Sequence, residues 1–155
     1  MKRTIGLALL VFLTVLCTNA LCAETGVKLT FNNKTDREVS IAVYREIAAF
    51  TVKGWYNVGA GESRTITFKT EPYEPVGDVG FYAKGFRKGQ KTVYWRGDFA
   101  HAWVHPNKAF NYRGGYQGAD NDDYNNYTEG APNQEVGFRK ITMKSRQGTV
   151  NLTLK

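Results

Sequence analysis

The sequence predicts an all-β domain, an antiparallel β-sandwich with a small β-barrel as the alternative, of about eight strands and one long polar loop. Three observations predict it. Apolar side chains recur with period two in short runs, the mark of half-buried strands. Clusters of Gly, Asn, Pro and Asp separate the runs. No long segment carries a helical period.

The elements follow in order. "VKLTF" places Val27, Leu29 and Phe31 on one face, and "NNKTDR" supplies turn formers. "EVSIAVYR" sends Val39, Ile41 and Val43 one way and Ser40, Ala42 and Tyr44 the other. "REIAAF", residues 45–50, is the one stretch that suits a helical turn. "SRTITFK" puts Ile66 and Phe68 on a face, and "VGFYAKGF" does the same with Val79, Phe81 and Ala83. "KTVYWR" is rich in strand-favouring residues, and "TVNLTLK" alternates Val150, Leu152 and Leu154 with Asn151 and Thr153. No linker or repeat is visible, which implies a single mature domain, residues 24–155.

The segment "TVKGWYNVGAGES" sets two large rings side by side before a glycine turn. Neighbours on a strand face opposite ways. Regular alternation therefore puts Tyr56 with Val52 and Val58 in the core, and Trp55 outward with Lys53 and Asn57. Gly54 inside the strand suggests a bulge or a close backbone approach. "GAGE" then needs a residue at positive φ.

Residues 1–23, "MKRTIGLALLVFLTVLCTNALCA", have a positive start, an apolar run and small residues, the layout of a secretory signal peptide. Cleavage after Ala23 fits first and after Ala20 second. An uncleaved segment anchoring the chain in a membrane is the alternative, although the run is shorter than a span requires. Leu16 before Cys17 and Leu21 before Cys22 argue against a lipoprotein. Both cysteines fall in this segment, so the mature chain has no thiol nucleophile, thiolate ligand or redox motif. Without Lys2 and Arg3, 19 of the 21 basic residues remain against 14 acids, a net charge of +5. The bases are scattered, with Lys84, Arg87, Lys88 and Lys91 the densest group, unlike the concentrated face of a nucleic-acid reader. Weak attraction to anionic envelope membrane surfaces and a solvated, soluble exterior are what the charge implies.

"FNNKTDREVSIAVY", "GWYNVGAGES", "GFYAKGF", "AFNYRG" and "VGFRKI" follow one another in an order that resembles a bacterial family, domain of unknown function 1036. The likeness spans roughly residues 27–154. It implies a small exported β domain. Ser63 stands where relatives often carry a cysteine, so a disulfide there is not essential to the fold. The family lends no catalytic residue.

Three constellations carry chemistry. His101 and His105 in "HAWVHP" lie four apart, but extended structure before Pro106 separates them by about 13 Å, too far for one metal. "GADNDDYNNYTEG" brings together Asp120, Asp122, Asp123 and Glu129, hard oxygen donors of the kind Ca²⁺ uses. The stretch lacks the EF-hand pattern, and the plain alternative is a solvated loop. Tyr112, Tyr116, Tyr124 and Tyr127 interleave with amides, as in sugar binding, where rings stack and amides bond hydroxyls; their alternative is packing beneath the loop. With Trp55, Trp95 and Trp103 they form the candidate ligand surface. The sequence thus reads as an exported, non-catalytic binding module for an envelope glycan or protein, with no cofactor beyond that calcium. An envelope structural protein and a glycan hydrolase using loop carboxylates are the rival readings.

Overall fold

The computed structural model describes residues 26–114 and 134–154. Its regular structure is ten strands: β1 (Gly26–Asn33), β2 (Glu38–Glu46), β3 (Phe50–Val58), β4 (Ser63–Lys69), β5 (Asp78–Phe86), β6 (Val93–Trp95), β7 (Ala100–Val104), β8 (Phe110–Gly114), β9 (Gln134–Ile141) and β10 (Gln147–Leu152). Seven belong to one sheet, β7-β9-β5-β2-β3-β8 with β6 also paired to β5, which curls until it nearly closes into a barrel. A three-stranded sheet, β10-β1-β4, packs on its outside. Among the described residues, no helix is long and apolar enough to cross a membrane.

Curling one sheet and covering it with another makes two cores. Val27, Leu29 and Phe31 of β1 and Ile66 and Phe68 of β4 meet Val39, Ile41 and Val43 of β2 and Val79 and Phe81 of β5 between the sheets. Inside the barrel, Ala42, Tyr44, Val52, Tyr82, Val104, Tyr112 and Phe138 pack together. Tyr44 is its aromatic hub, with ring centroids 5.6 Å from Phe138, 5.8 Å from Phe50 and 6.0 Å from Phe99, in the range where ring pairs attract. Strands β2 and β5 serve both cores. That is why both sets of side chains in "SIAVY" are apolar at their centre, a pattern of strands buried on two faces.

Four expectations are corrected. Residues 45–50 form no helical turn: β2 runs through Glu46, β3 begins at Phe50, and the three residues between bend sharply, Ile47 N–H donating to Ala49 O at 3.3 Å. The long reach of β2–β3 pairing on either side favours a hairpin there. The sheets are not wholly antiparallel, because β1 pairs with β10 in parallel. These strands come from opposite ends of the described chain, and the intervening strands act as their crossover.

Third, the alternation across Gly54 breaks. The β2–β3 register shifts between Ile41 and Val43. A Cβ on Gly54 would lie 3.1 Å from both Cα and Cβ of Ala42, so glycine lets the strands close there. The bulge resets the period: Val52 faces the barrel core, while Tyr56 and Val58 face the inter-sheet core. Trp55 turns toward the barrel, not outward with Lys53. Fourth, Tyr112 is no surface ring. It lies 1% exposed inside the barrel, because β8 alternates Phe110, Tyr112 and Gly114 inward with Asn111 and Arg113 outward.

One buried amide ties the turns at this end of the strands. Asn33 Nδ2 donates to the carbonyls of Arg37 (2.7 Å), Gly59 (2.9 Å) and Val58 (3.1 Å). Its Oδ1 accepts from Thr35 Oγ1 (2.6 Å) and Thr35 N (3.1 Å). The "NNKT" turn is thereby fastened to the "GAGE" turn, where Gly61 takes the expected positive φ of 75°.

Candidate functional site

The bulge that turns Trp55 inward also builds a site at the barrel mouth. Beyond Trp55, β3 presents Asn57 on the same face. Register places Asn57 opposite Ser40 of β2, Ser40 opposite Lys84 of β5, and Lys84 opposite Tyr94 of β6. An amide, a hydroxyl, an ammonium and a phenol thus form one row across four strands. At ~4.8 Å per strand spacing the row spans about 14 Å. Ser40 Oγ donates to Asn57 Oδ1 at 2.9 Å, which fixes the first pair.

Trp55 borders the row and closes the seam of the barrel. Its Nε1–H donates to the carbonyl of His105, just past β7, at 2.6 Å. The indole abuts Phe110 edge-on at 5.6 Å and Tyr82 at 5.9 Å. Lys84 lies over the ring, Nζ 4.3 Å from the centroid, and donates to Pro106 O at 2.9 Å. Burial holds this ammonium below the ordinary lysine value, since removing water disfavours the charged form. His105 Nδ1 accepts from the backbone N–H groups of Asn107 (3.1 Å) and Lys108 (2.9 Å), shaping the turn that walls the site. Ser40, Trp55, Asn57, Lys84 and that turn enclose a pocket of about 400 Å³.

Tyr94 completes the surface. Its side chain is half exposed and its ring tilts over Tyr82 at 6.3 Å. Burial, reinforced by Tyr94, pushes the Tyr82 phenol up to about 12, with Arg96 opposing the rise. Tyr82 therefore stays neutral at ordinary pH. The mouth offers donors, acceptors and a ring face, and among the described residues its pocket wall holds a single cation and no carboxylate.

The tryptophans expected to share a surface do not meet. Trp95 faces the inter-sheet core, donates from Nε1 to Thr153 O at 3.1 Å, and lines a second cleft of about 600 Å³, which Tyr94 also borders. Trp103 sits on the outer face of β7, opposite Glu135, while Ala102 and Val104 point inward. Tyr116, Tyr124, Tyr127 and the proposed calcium donors Asp120, Asp122, Asp123 and Glu129 lie outside the described residues, as does the signal segment 1–23. Among the described residues, no three His, Cys, Asp or Glu side chains are grouped to hold a metal. Ser40, Asn57 and Lys84 were not expected at the site, and Tyr94 was expected at the surface only as the start of "YWRGDFAHAW". Each is unremarkable alone, and only cross-strand register assembles them.

Fold and site together define a two-core β domain carrying a preformed polar-aromatic pocket at a barrel end. Neither a family model, nor a curated protein, nor a solved structure matches the chain.

Proposed function

We propose that this is an exported, non-catalytic binding module of the cell envelope, related to the domain of unknown function 1036 family, and that the barrel mouth binds a neutral, hydroxyl-rich glycan. The observation that supports it is the row Asn57–Ser40–Lys84–Tyr94 beside Trp55. Sugar hydroxyls both donate and accept. Asn57 and Ser40 can do either, while Lys84 donates only. Tyr94 supplies the ring face for C–H stacking, a role Trp55 is poorly placed for with Lys84 over its ring. Strands hold the groups, so little ordering entropy is lost on binding.

The test is intrinsic tryptophan fluorescence of the protein titrated with purified envelope glycans. A saturable shift that disappears in Tyr94→Ala and weakens in Lys84→Met supports the reading. A shift that survives both substitutions moves the site elsewhere, and no shift with any glycan refutes it. Neither variant removes a core ring, so both are expected to fold.

A further inference from the structure

A second pocket, away from the barrel mouth, concentrates positive charge. It lies where the edge strand β4 meets the outer face of β3 and β8, with a volume of about 330 Å³. Four cations line it: Arg45, Lys53, Lys69 and Arg113. One carboxylate, Glu74, also lines it, and that group is already taken by Arg45 Nη1 at 3.0 Å. Register explains the gathering, since Arg45 stands opposite Thr51 and Thr51 opposite Arg113. Lys53 stands opposite Asn111 in the next row.

The cations are not all free to escape into water. Arg45 is 8% exposed and is held by the carbonyls of Val76 (2.8 Å) and Pro75 (2.7 Å). Lys53 is held over the Phe68 ring at 4.2 Å and donates to Thr67 O at 2.7 Å. Burial first, and the Arg45 guanidinium second, hold Lys53 below the ordinary lysine value. Among the described residues, no carboxylate pairs with Lys53, Lys69 or Arg113. A half-buried ammonium with no carboxylate of its own, beside a buried guanidinium whose charge Glu74 already takes up, is an unfavourable arrangement for stability alone. Such uncompensated charge is characteristic of sites that take an ion.

We infer that this pocket binds a phosphate group, on a small molecule or on a lipid headgroup. Lys53 and Lys69 supply point charges, while the planar guanidinium of Arg113 suits two oxygens at once. Asn111 and Thr51 can complete the shell with neutral donors. The site is separate from the glycan reading and stands without it.

The test uses the full protein with two probes. Inorganic phosphate is titrated against thermal melting, with sodium chloride at matched ionic strength as reference. Vesicles containing phosphatidylglycerol are compared with pure phosphatidylcholine in a flotation experiment. The expected result is a saturable rise in Tm with phosphate, the apparent affinity falling about tenfold in Arg113→Gln and in Lys53→Met for each charge-assisted bond lost. Flotation with phosphatidylglycerol vesicles, lost in the same variants, assigns the headgroup as source; phosphate binding without flotation assigns a free ligand. Arg113 is exposed, so its variant tests the site even where Lys53→Met disturbs β4. Lack of saturation with both probes overturns the inference, and so do responses unchanged in both variants or matched by Arg87→Gln.

Discussion

Replacing Asn33 with Ala removes the amide that fastens two turns. Three carbonyls, those of Arg37, Val58 and Gly59, lose the amide's donors, although the Thr35 hydroxyl still reaches Arg37 O at 3.2 Å, and Thr35 N–H loses its acceptor. Five bonds at ~1 kcal/mol net each set an upper figure of about 5 kcal/mol. Gly59 is half-buried, so water can reach its carbonyl, and the freed turn regains some backbone entropy. The expected loss is therefore about 3–4 kcal/mol, a fall in Tm of roughly 10–15 °C for a domain of this size. Urea unfolding followed by circular dichroism measures it, provided the slope with urea is unchanged. Asn33→Asp sharpens the test. A carboxylate cannot donate to three carbonyls, so its pKa must rise on folding. The variant should be worst at neutral pH and regain stability as acid protonates it. A loss below about 1 kcal/mol for Asn33→Ala, or an Asp variant indifferent to pH, would refute the reasoning.

Further expectations concern the barrel. Trp55→Phe keeps an aromatic ring, a smaller one, but strands the His105 carbonyl, and should cost at least about 1–2 kcal/mol in urea unfolding; a loss under ~0.5 kcal/mol would mean that the seam bond is dispensable. Tyr82, raised to about 12 from 10, keeps its proton in the folded protein after the unfolded chain has lost it. Its stabilising contribution is complete below pH 10 and lost as pH rises toward about 12; ultraviolet titration should show Tyr82 ionising late, along with Tyr56, which its own burial raises. Lys84 is lowered, so the unfolded chain holds that proton to higher pH. Its contribution to stability should rise with pH between the lowered value and 10.5, and side-chain NMR should show Lys84 and Lys53 deprotonating before the exposed lysines.

Much of the fold was legible from particular residues. Val27, Leu29 and Phe31, or Ile66 and Phe68, alternate because one face of each strand meets the inter-sheet core, and period two records that directly. The two-sided burial of β2 was visible as apolar residues on both faces, but what covered the second face was not. Trp55 and Tyr56 show where such reading stops. Strict alternation assigns Trp55 outward; a one-residue bulge at Gly54 moves it to the barrel, since one extra residue flips every later side chain. Tyr112 was misplaced for a related reason. It was grouped with the polar stretch after it, whereas its own short strand belongs to the barrel wall.

The sequence by itself determined β1 to β6 and β10, the turn at "GAGE" and the one-sided strands, because these depend on neighbours within a few residues of each other. Only the tertiary structure decided that one sheet curls into a barrel beneath another, and that Ser40, Asn57, Lys84 and Tyr94 form a row. It alone brought Arg45, Lys53, Lys69 and Arg113 to one pocket. Those groupings depend on register between strands as distant as β3 and β6 or β2 and β8. Register is chosen by the packing of whole faces, which no local stretch encodes.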